Sequence, residues 1–243
     1  MKVLIVSDIH ANRTAFEAVI EDAGSVDAVW HLGDIVGYGP DPGWCVDRLI
    51  ALDPAASLAG NHDLAVLGVI PVEEFNPVAA RATEWTATQI SEHHRAYLAR
   101  LPAMSRLPGL TLAHGSPRDP VWEYISDAET ANANFGRFDT PLCLVGHTHV
   151  PCAAELAPGS NRAQLRHIPH GLIVCITESR WIINPGSVGQ PRDSDPRAAF
   201  AIYDSEPGTI SFRRVEYDVA DVQRRIRYAG LPDLLATRLA LGQ

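Results

Sequence analysis

The chain lacks any paired-cysteine motif. Its four cysteines, Cys45, Cys143, Cys152 and Cys175, are scattered, with no CxxC among them. That spacing argues against a zinc knuckle or a disulfide framework and predicts four reduced, mostly buried thiols. No apolar run approaches the roughly 20 residues of a membrane-spanning helix, so no membrane partner is expected. The opening MKVLIVSD shows no small-residue cleavage site of a secretory leader, and the expected location is cytoplasmic. Positive charge is scarce as well: 20 Lys and Arg against 29 Asp and Glu give a formal charge of −9. Extended nucleic-acid binding is therefore not expected, although a local cationic site remains compatible with this balance. There is no internal repeat, low-complexity tract or linker. The rest of the composition, 46% hydrophobic and 20% charged over 243 residues, suits one α/β domain spanning 1–243.

Histidine, in contrast, is plentiful at ten residues. His10, His62, His114, His147 and His149 fall in short fragments: DIH (Asp8, His10), GD (Gly33, Asp34), GNHD (Gly60 to Asp63), HGS (His114 to Ser116) and GHTH (Gly146 to His149). Each fragment follows a strand-like run. Asp, His and Asn donors without thiolate suit hard or borderline ions such as Mn, Fe or Zn. Five such fragments in order argue for one composite site, with His62 spare.

The pattern along the chain predicts where that site lies. Residues 2–7, 27–32 and 56–59 read as strands, separated by helices through Phe16, Val19 and Ile20 and through Val46, Leu49 and Ile50. This alternation implies a parallel sheet with the fragments at the carboxyl ends of its strands. Residues 64–100 read as a helical insertion. Strands are expected at 110–114, 142–145, 171–177, 180–184, 198–204 and 209–215, mostly antiparallel, in two sheets packed face to face. A helical segment at 219–242, broken near Leu231-Pro232, closes the chain.

On an extended backbone residues i and i+2 point the same way, so Asp8 and His10 can grip one ion, and His147 and His149 can serve two neighbouring ions. Two cations roughly 3.5–4 Å apart need an anion between them, and Asp34 is the best candidate. Asn61 and His114 then complete the second ion. Two divalent ions, Asp8, Asp34 and a bridging hydroxide leave about one net positive charge, which attracts a phosphate ester.

In this order the fragments resemble the calcineurin-like metallophosphoesterase superfamily, over residues 1–190. The resemblance implies a four-layer α/β/β/α sandwich of two mixed β-sheets flanked by helices, and hydrolysis of phosphoesters by two metal ions. It implies one ion on Asp8, His10, Asp34 and His149, and the other on Asp34, Asn61, His114 and His147. It makes His62 a non-ligand histidine near the leaving group and Asp63 its orienting partner. The runs GDIVGYGPDP (33–42), HGSPRDPVWEYI (114–125) and NPGSVGQPRD (184–193) look like a compact bacterial and archaeal branch of phosphodiesterases or phosphatases. The expected activity is in-line attack of a metal-bridging hydroxide on small nucleotide or aryl phosphodiesters. A phosphomonoesterase or protein phosphatase on the same site is the alternative, and a non-catalytic interaction module on this fold is a second one. Mn is the expected activating ion, although Fe, Zn, Ni and Co can share such donors. Arg118, Arg192 and Tyr38 are candidate substrate contacts, and Trp122, Glu123 and Tyr124 could line a base or aryl pocket. His31 is expected to pack behind the ligands, and Gly186 and Ser187 to shape a turn near them.

Overall fold

The first strand sets out the layers. In a computed structural model, which describes residues 1–176 and 178–243, β1 (Lys2–Val6) turns Val3 and Ile5 to one face and Leu4 and Val6 to the other. Successive side chains of a strand point to opposite faces, so a strand apolar on both must be covered on both. Helix α1 (Arg13–Ala23) covers one side, packing Phe16 and Val19 on Leu4 and Val6. Asn12 starts this helix by accepting the Ala15 N–H at 3.1 Å. β2 (Ala28–His31), α2 (Pro42–Ala51) and β3 (Ala56–Ser57) repeat the unit, and Pro42 opens α2 where no amide donor is needed. β1, β2 and β3 run parallel, as their alternation with helices predicts.

The chain then turns helical through α3 (Asn61–Val66), a 3-10 turn at Val72–Glu74, α4 (Pro77–Gln89) and α5 (Glu92–Leu98). GNHD thus opens a helix. The reason is Asp63, whose carboxylate accepts the Gly60 N–H at 3.0 Å and satisfies a donor that a helix start leaves unpaired.

The second half supplies β4 (Met104–Leu107), β5 (Leu110–Ala113), α6 (Ala128–Phe135), β6 (Leu142–Leu144), β7 (Cys152–Leu156), β8 (Gln164–His167), β9 (Ile173–Cys175), β10 (Arg180–Asn184), β11 (Ala198–Asp204) and β12 (Thr209–Val215). The last three match their expected strands residue for residue. β9 covers part of the expected 171–177, of which residue 177 lies outside the described residues. Contrary to the expected antiparallel pairing, β5–β6 and β6–β10 are parallel. Helix α6 provides the crossover that makes the first of these pairs accessible.

Two six-stranded mixed sheets result, ordered β3-β2-β1-β11-β12-β9 and β4-β5-β6-β10-β7-β8. Val3, Ile5, Leu32 and Leu58 of the first meet Leu112, Leu144, Trp181 and Ile183 of the second. Each fully buried Leu, Ile or Val in this layer contributes about 1.5–3 kcal/mol. Phe135 of α6 packs on Cys143 and Ile182 behind the second sheet. This is the four-layer α/β/β/α sandwich. α7 (Val219–Tyr228) and α8 (Asp233–Leu239), on either side of Leu231-Pro232, pack Val222, Ile226, Leu235 and Leu239 around Tyr38. All four cysteines are unpaired, and Cys175 alone is exposed. Among the described residues, no helix is long and apolar enough to cross a membrane.

Candidate metal centre

The fragments converge because the loops that carry them are sewn to one another. The Asp8, His10 and Ala11 N–H groups donate to the Gly33, Asp34 and Ile35 carbonyls at 3.0, 3.0 and 2.9 Å. The Gly146 N–H donates to the His114 carbonyl at 2.8 Å. Ser187 donates its hydroxyl to the Asp8 carbonyl at 2.8 Å, and Gly186 has φ 84°, so this turn does lie against the ligand loops. The ligand backbones are not extended. Asp8, His10, Asp34, His147 and His149 have φ of 55°, 47°, 57°, 65° and 62°. The same pairs do come together, but not on the extended backbone expected for them: alternate left-handed residues, each costing about 1–2 kcal/mol, aim the side chains. Gly33 (φ 101°) and Gly60 let these loops approach, since a Cβ would meet His114 Nδ1 at 2.6 Å and Asp34 Oδ1 at 2.1 Å.

Two groups of donors result. Asp8, His10, Asp34 and His149 form one, and Asp34, His114 and His147 the other, all buried. Asn61 Oδ1 lies 3.2 Å from His114 Nε2, which joins it to the second. Backbone carbonyls fix the tautomers. His10 Nδ1–H donates to Val36 O at 3.1 Å, His149 Nδ1–H to Gln190 O at 2.6 Å and His114 Nδ1–H to Leu32 O at 2.9 Å. Their Nε2 atoms face inward. Those of His10 and His149 are 3.0 Å apart, and His114 Nε2 is 3.2 Å from His147 Nδ1. The neutral rings of His10 and His149 oppose lone pair to lone pair at that distance, which a shared cation would relieve. Asp34 Oδ2 sits between the groups, 3.7 Å from His10 Nε2 and 3.4 Å from His114 Nε2. It is buried without a hydrogen-bond partner. A buried carboxylate oxygen left unpaired costs several kcal/mol in principle, and metal ligation would account for it. The donor set fits divalent ions.

The electrostatics divide the donors. Burial drives His10 and His149 well below 6.5 and His147 down to about 3, keeping all three neutral. Burial also lowers His114, but the Asp34 charge overcomes it and raises that imidazole to about 9. Burial raises Asp34, yet the surrounding imidazoles, His114 first, hold it well below the carboxylate range. Asp8 is pushed up to about 7, mainly by burial.

The remaining candidates separate. A cavity of about 160 Å³ beside the donors is lined by Tyr38, His62, Trp122, Tyr124 and Arg192, among others. Tyr38 packs its ring 4.7 Å from that of His10 and 4.3 Å from that of His62. Arg192 stands over Tyr38 at 5.9 Å, its Nε buried without a partner. Arg118 is not at this cavity. Its guanidinium pairs with Glu123, with Nε at 2.8 Å, and a charge so engaged is lost to a phosphate. Glu123 also accepts from Ser116 and Asn134 and holds the loop instead of lining a pocket. Asp63 does not reach the His62 ring. Its oxygens accept four backbone N–H groups, those of Asp34, Ile35, Val36 and Gly60. His62 Nδ1 is buried without a partner, and burial lowers the ring to about 4. His31 packs fully buried against Ser57 at 3.0 Å. Glu74, Phe75 and Asn76 also line the cavity. No motif marks them, because a helical insertion brings them there. Asn184, whose amide donates to Gly146 O at 2.6 Å and Thr148 Oγ1 at 3.0 Å, was likewise silent in the sequence beyond its place before PGS.

The family profile of the calcineurin-like phosphoesterase superfamily domain matches residues 1–208. The chain belongs to this superfamily. A crystal structure of a metallophosphoesterase from Sphaerobacter thermophilus is 50% identical, with a TM-score of 0.91 and 100% of both chains covered. An uncharacterized protein of Methanocaldococcus jannaschii is 35% identical over 249 residues, covering 99% of this chain and 98% of that protein. A symmetrical bis(5'-nucleosyl)-tetraphosphatase of an Acidovorax species is 41% identical over 71 residues, which is 28% of this chain and 25% of that one. As a calcineurin-like phosphoesterase the chain is a metallophosphoesterase of the hydrolase class, with His and Asp clusters able to hold divalent metal ions.

Proposed function

We propose that the chain is a dinuclear metal phosphodiesterase acting on small nucleotide or aryl diesters. One observation carries the dinuclear part: Asp34 Oδ2, buried and unpartnered, lies between two groups of donors. Asp8, His10, Asp34 and His149 would hold one ion, and Asp34, Asn61, His114 and His147 the other, with Mn the first candidate. Such ions would polarise a phosphoryl oxygen and lower the pKa of a water. The chain's own residues do the rest. Arg192 offers a planar donor fork to a phosphoryl oxygen. The His62 imidazole, neutral at physiological pH, donates a hydrogen bond to the leaving oxygen. Tyr38 keeps that ring in place.

The walls favour a diester. Tyr38, Phe75, Trp122 and Tyr124 are aromatic, and Arg192 is the one Lys or Arg among the described lining residues, beside the carboxylates of Asp34 and Glu74. A monoanion with two organic groups suits that balance better than a dianion with one. The Acidovorax relative, whose name describes it as cleaving a bis-nucleosyl tetraphosphate, supports a nucleotide-like substrate. Unpaired thiols are in keeping with a cytoplasmic setting.

The test compares bis(p-nitrophenyl) phosphate with p-nitrophenyl phosphate after chelation and after reloading with Mn, Fe, Zn, Ni or Co. The diester should give the higher kcat/KM, and chelation should abolish both reactions. Preference for the monoester would establish the phosphatase alternative. Full metal uptake without turnover of either ester would establish a non-catalytic module.

A further inference from the structure

The cavity beside the donors shares a wall with a second one. Tyr124 and Arg192 line both. The second is a groove of about 320 Å³, at the lower end of the size of small-molecule sites. Its apolar lining comes from Ile125, Val150 and Cys152, and its polar lining from Ser126, Thr148 and His167. The backbone explains the junction. GHTH runs directly through Val150 into β7, and Cys152 of β7 pairs with His167 of the edge strand β8. The segment that carries two metal-ligand candidates therefore continues as the groove's wall.

Tyr124 is the ridge between the two. Its ring stacks on His147 with centroids 4.2 Å apart and planes at 13°, yet the residue is 48% exposed. One ring face is thus held by a metal-ligand candidate and the rest of its surface borders open space. No Asp or Glu lines the groove among the described residues, and Arg192 stands where a phosphoester would pass from one cavity to the other.

We propose that this groove is a specificity subsite that receives the nucleobase of a nucleotide ester whose phosphorus lies at the donor clusters. The inference rests on the phosphodiesterase reading above and adds which organic group the protein selects. A flat ring matches a largely apolar groove with an exposed tyrosine at its edge. A plain aryl ring would leave Ser126 and His167 unused, whereas a base edge offers them donors and acceptors. Base–aromatic contact of this kind is worth roughly 5- to 150-fold in affinity.

Calorimetry on the Mn-loaded protein tests this without turnover. AMP and inorganic phosphate are titrated against the wild type and against Ser126→Trp and His167→Trp. Both positions are exposed, lie on different segments and fill the groove without replacing a donor-cluster residue. Metal content and thermal unfolding verify that each variant folds. The wild type should bind AMP roughly 5- to 150-fold more tightly than phosphate, and each Trp variant should bring AMP down to the phosphate value. An AMP affinity no better than that of phosphate in the wild type overturns the subsite, as does a preference that survives in both folded variants. If AMP binding follows the expected pattern but no ester is hydrolysed with any metal, the subsite stands and the phosphodiesterase reading falls. If diesters are hydrolysed while AMP shows no preference, the reverse holds.

Discussion

Asp63→Asn separates two accounts of one buried carboxylate. Asp63 is fully buried, and its Oδ2 accepts the Asp34, Ile35 and Gly60 N–H groups at 2.9, 3.3 and 3.0 Å, while Oδ1 accepts the Val36 N–H at 3.1 Å. An amide has one acceptor oxygen and one NH2 group. If its oxygen stays with the three donors, the NH2 faces the Val36 N–H, and a buried donor is left unpaired at about 1–3 kcal/mol. The three retained bonds also lose charge assistance. The sum is about 2–4 kcal/mol, since such effects are not additive. For a chain of this length that lowers Tm by roughly 5–15 °C.

The assay is thermal unfolding of both proteins, metal-loaded and chelated, above pH 7. Burial and the Asp34 charge push Asp63 up to about 7, so above that pH the wild type holds a carboxylate. The loss should persist after chelation, because the four bonds belong to the protein alone. Metal content should fall too, since the bond that anchors the Asp34 N–H loses its charge assistance. A variant with Tm within about 2 °C of wild type and unchanged metal content, slowed only on esters with poor leaving groups, would refute this reasoning. It would restore Asp63 as the orienting partner of His62.

Three further outcomes are expected. Gly60→Ala should fold but lose metal, because its Cβ would lie 2.1 Å from Asp34 Oδ1; elemental analysis giving full occupancy would contradict that approach. His62→Ala should keep both ions and slow alkyl or ribose esters more than p-nitrophenyl esters, because a donor to the leaving oxygen matters most when that oxygen leaves poorly; loss of an ion would make His62 a ligand. Burial raises Glu123, but hydrogen bonds from Arg118, Asn134 and Ser116 outweigh it and take the carboxyl from 4.5 to about 2. Between these values the unfolded chain binds more protons, so stability rises with pH there. The contribution is complete above 4.5 and lost as pH falls towards 2, so the Tm gap between wild type and Glu123→Gln should narrow on acidification, and a widening gap would count against the assigned network.

The sequence carried the parts of this fold that rest on side-chain pattern. β10, β11 and β12 alternate or fill both faces clearly enough to be bounded residue for residue. The break between α7 and α8 was legible because Pro232 cannot continue the first helix. β7 (CAAEL) and β8 (QLRH) were not, since short strands with few β-branched or aromatic residues take their conformation from the neighbours they pair with. Helix α6 hid in a polar stretch, and with it the parallel pairing of β5 and β6. At the site, residue types pointed to the side chains that cluster but could not show the backbone. Arg118 and Arg192 looked equivalent, each placed just after a motif. Only the fold separates them, because Glu123 occupies one and an aromatic wall receives the other.

The left-handed ligand residues have a consequence for where mutations should hurt. Five donor positions at positive φ together oppose folding by about 5–10 kcal/mol, at about 1–2 kcal/mol each. A hydrogen bond returns about 0.5–1.5 kcal/mol net, so no single contact can hold such a centre. Several must act together: Asp63 on the Asp34 loop, Ser187 on Asp8, Asn184 on Gly146, and the carbonyls of Val36, Gln190 and Leu32 on the imidazoles. None of the three side chains in that set is a donor of either cluster. A metal bound at these clusters would therefore owe its affinity as much to residues that never touch it as to those that do.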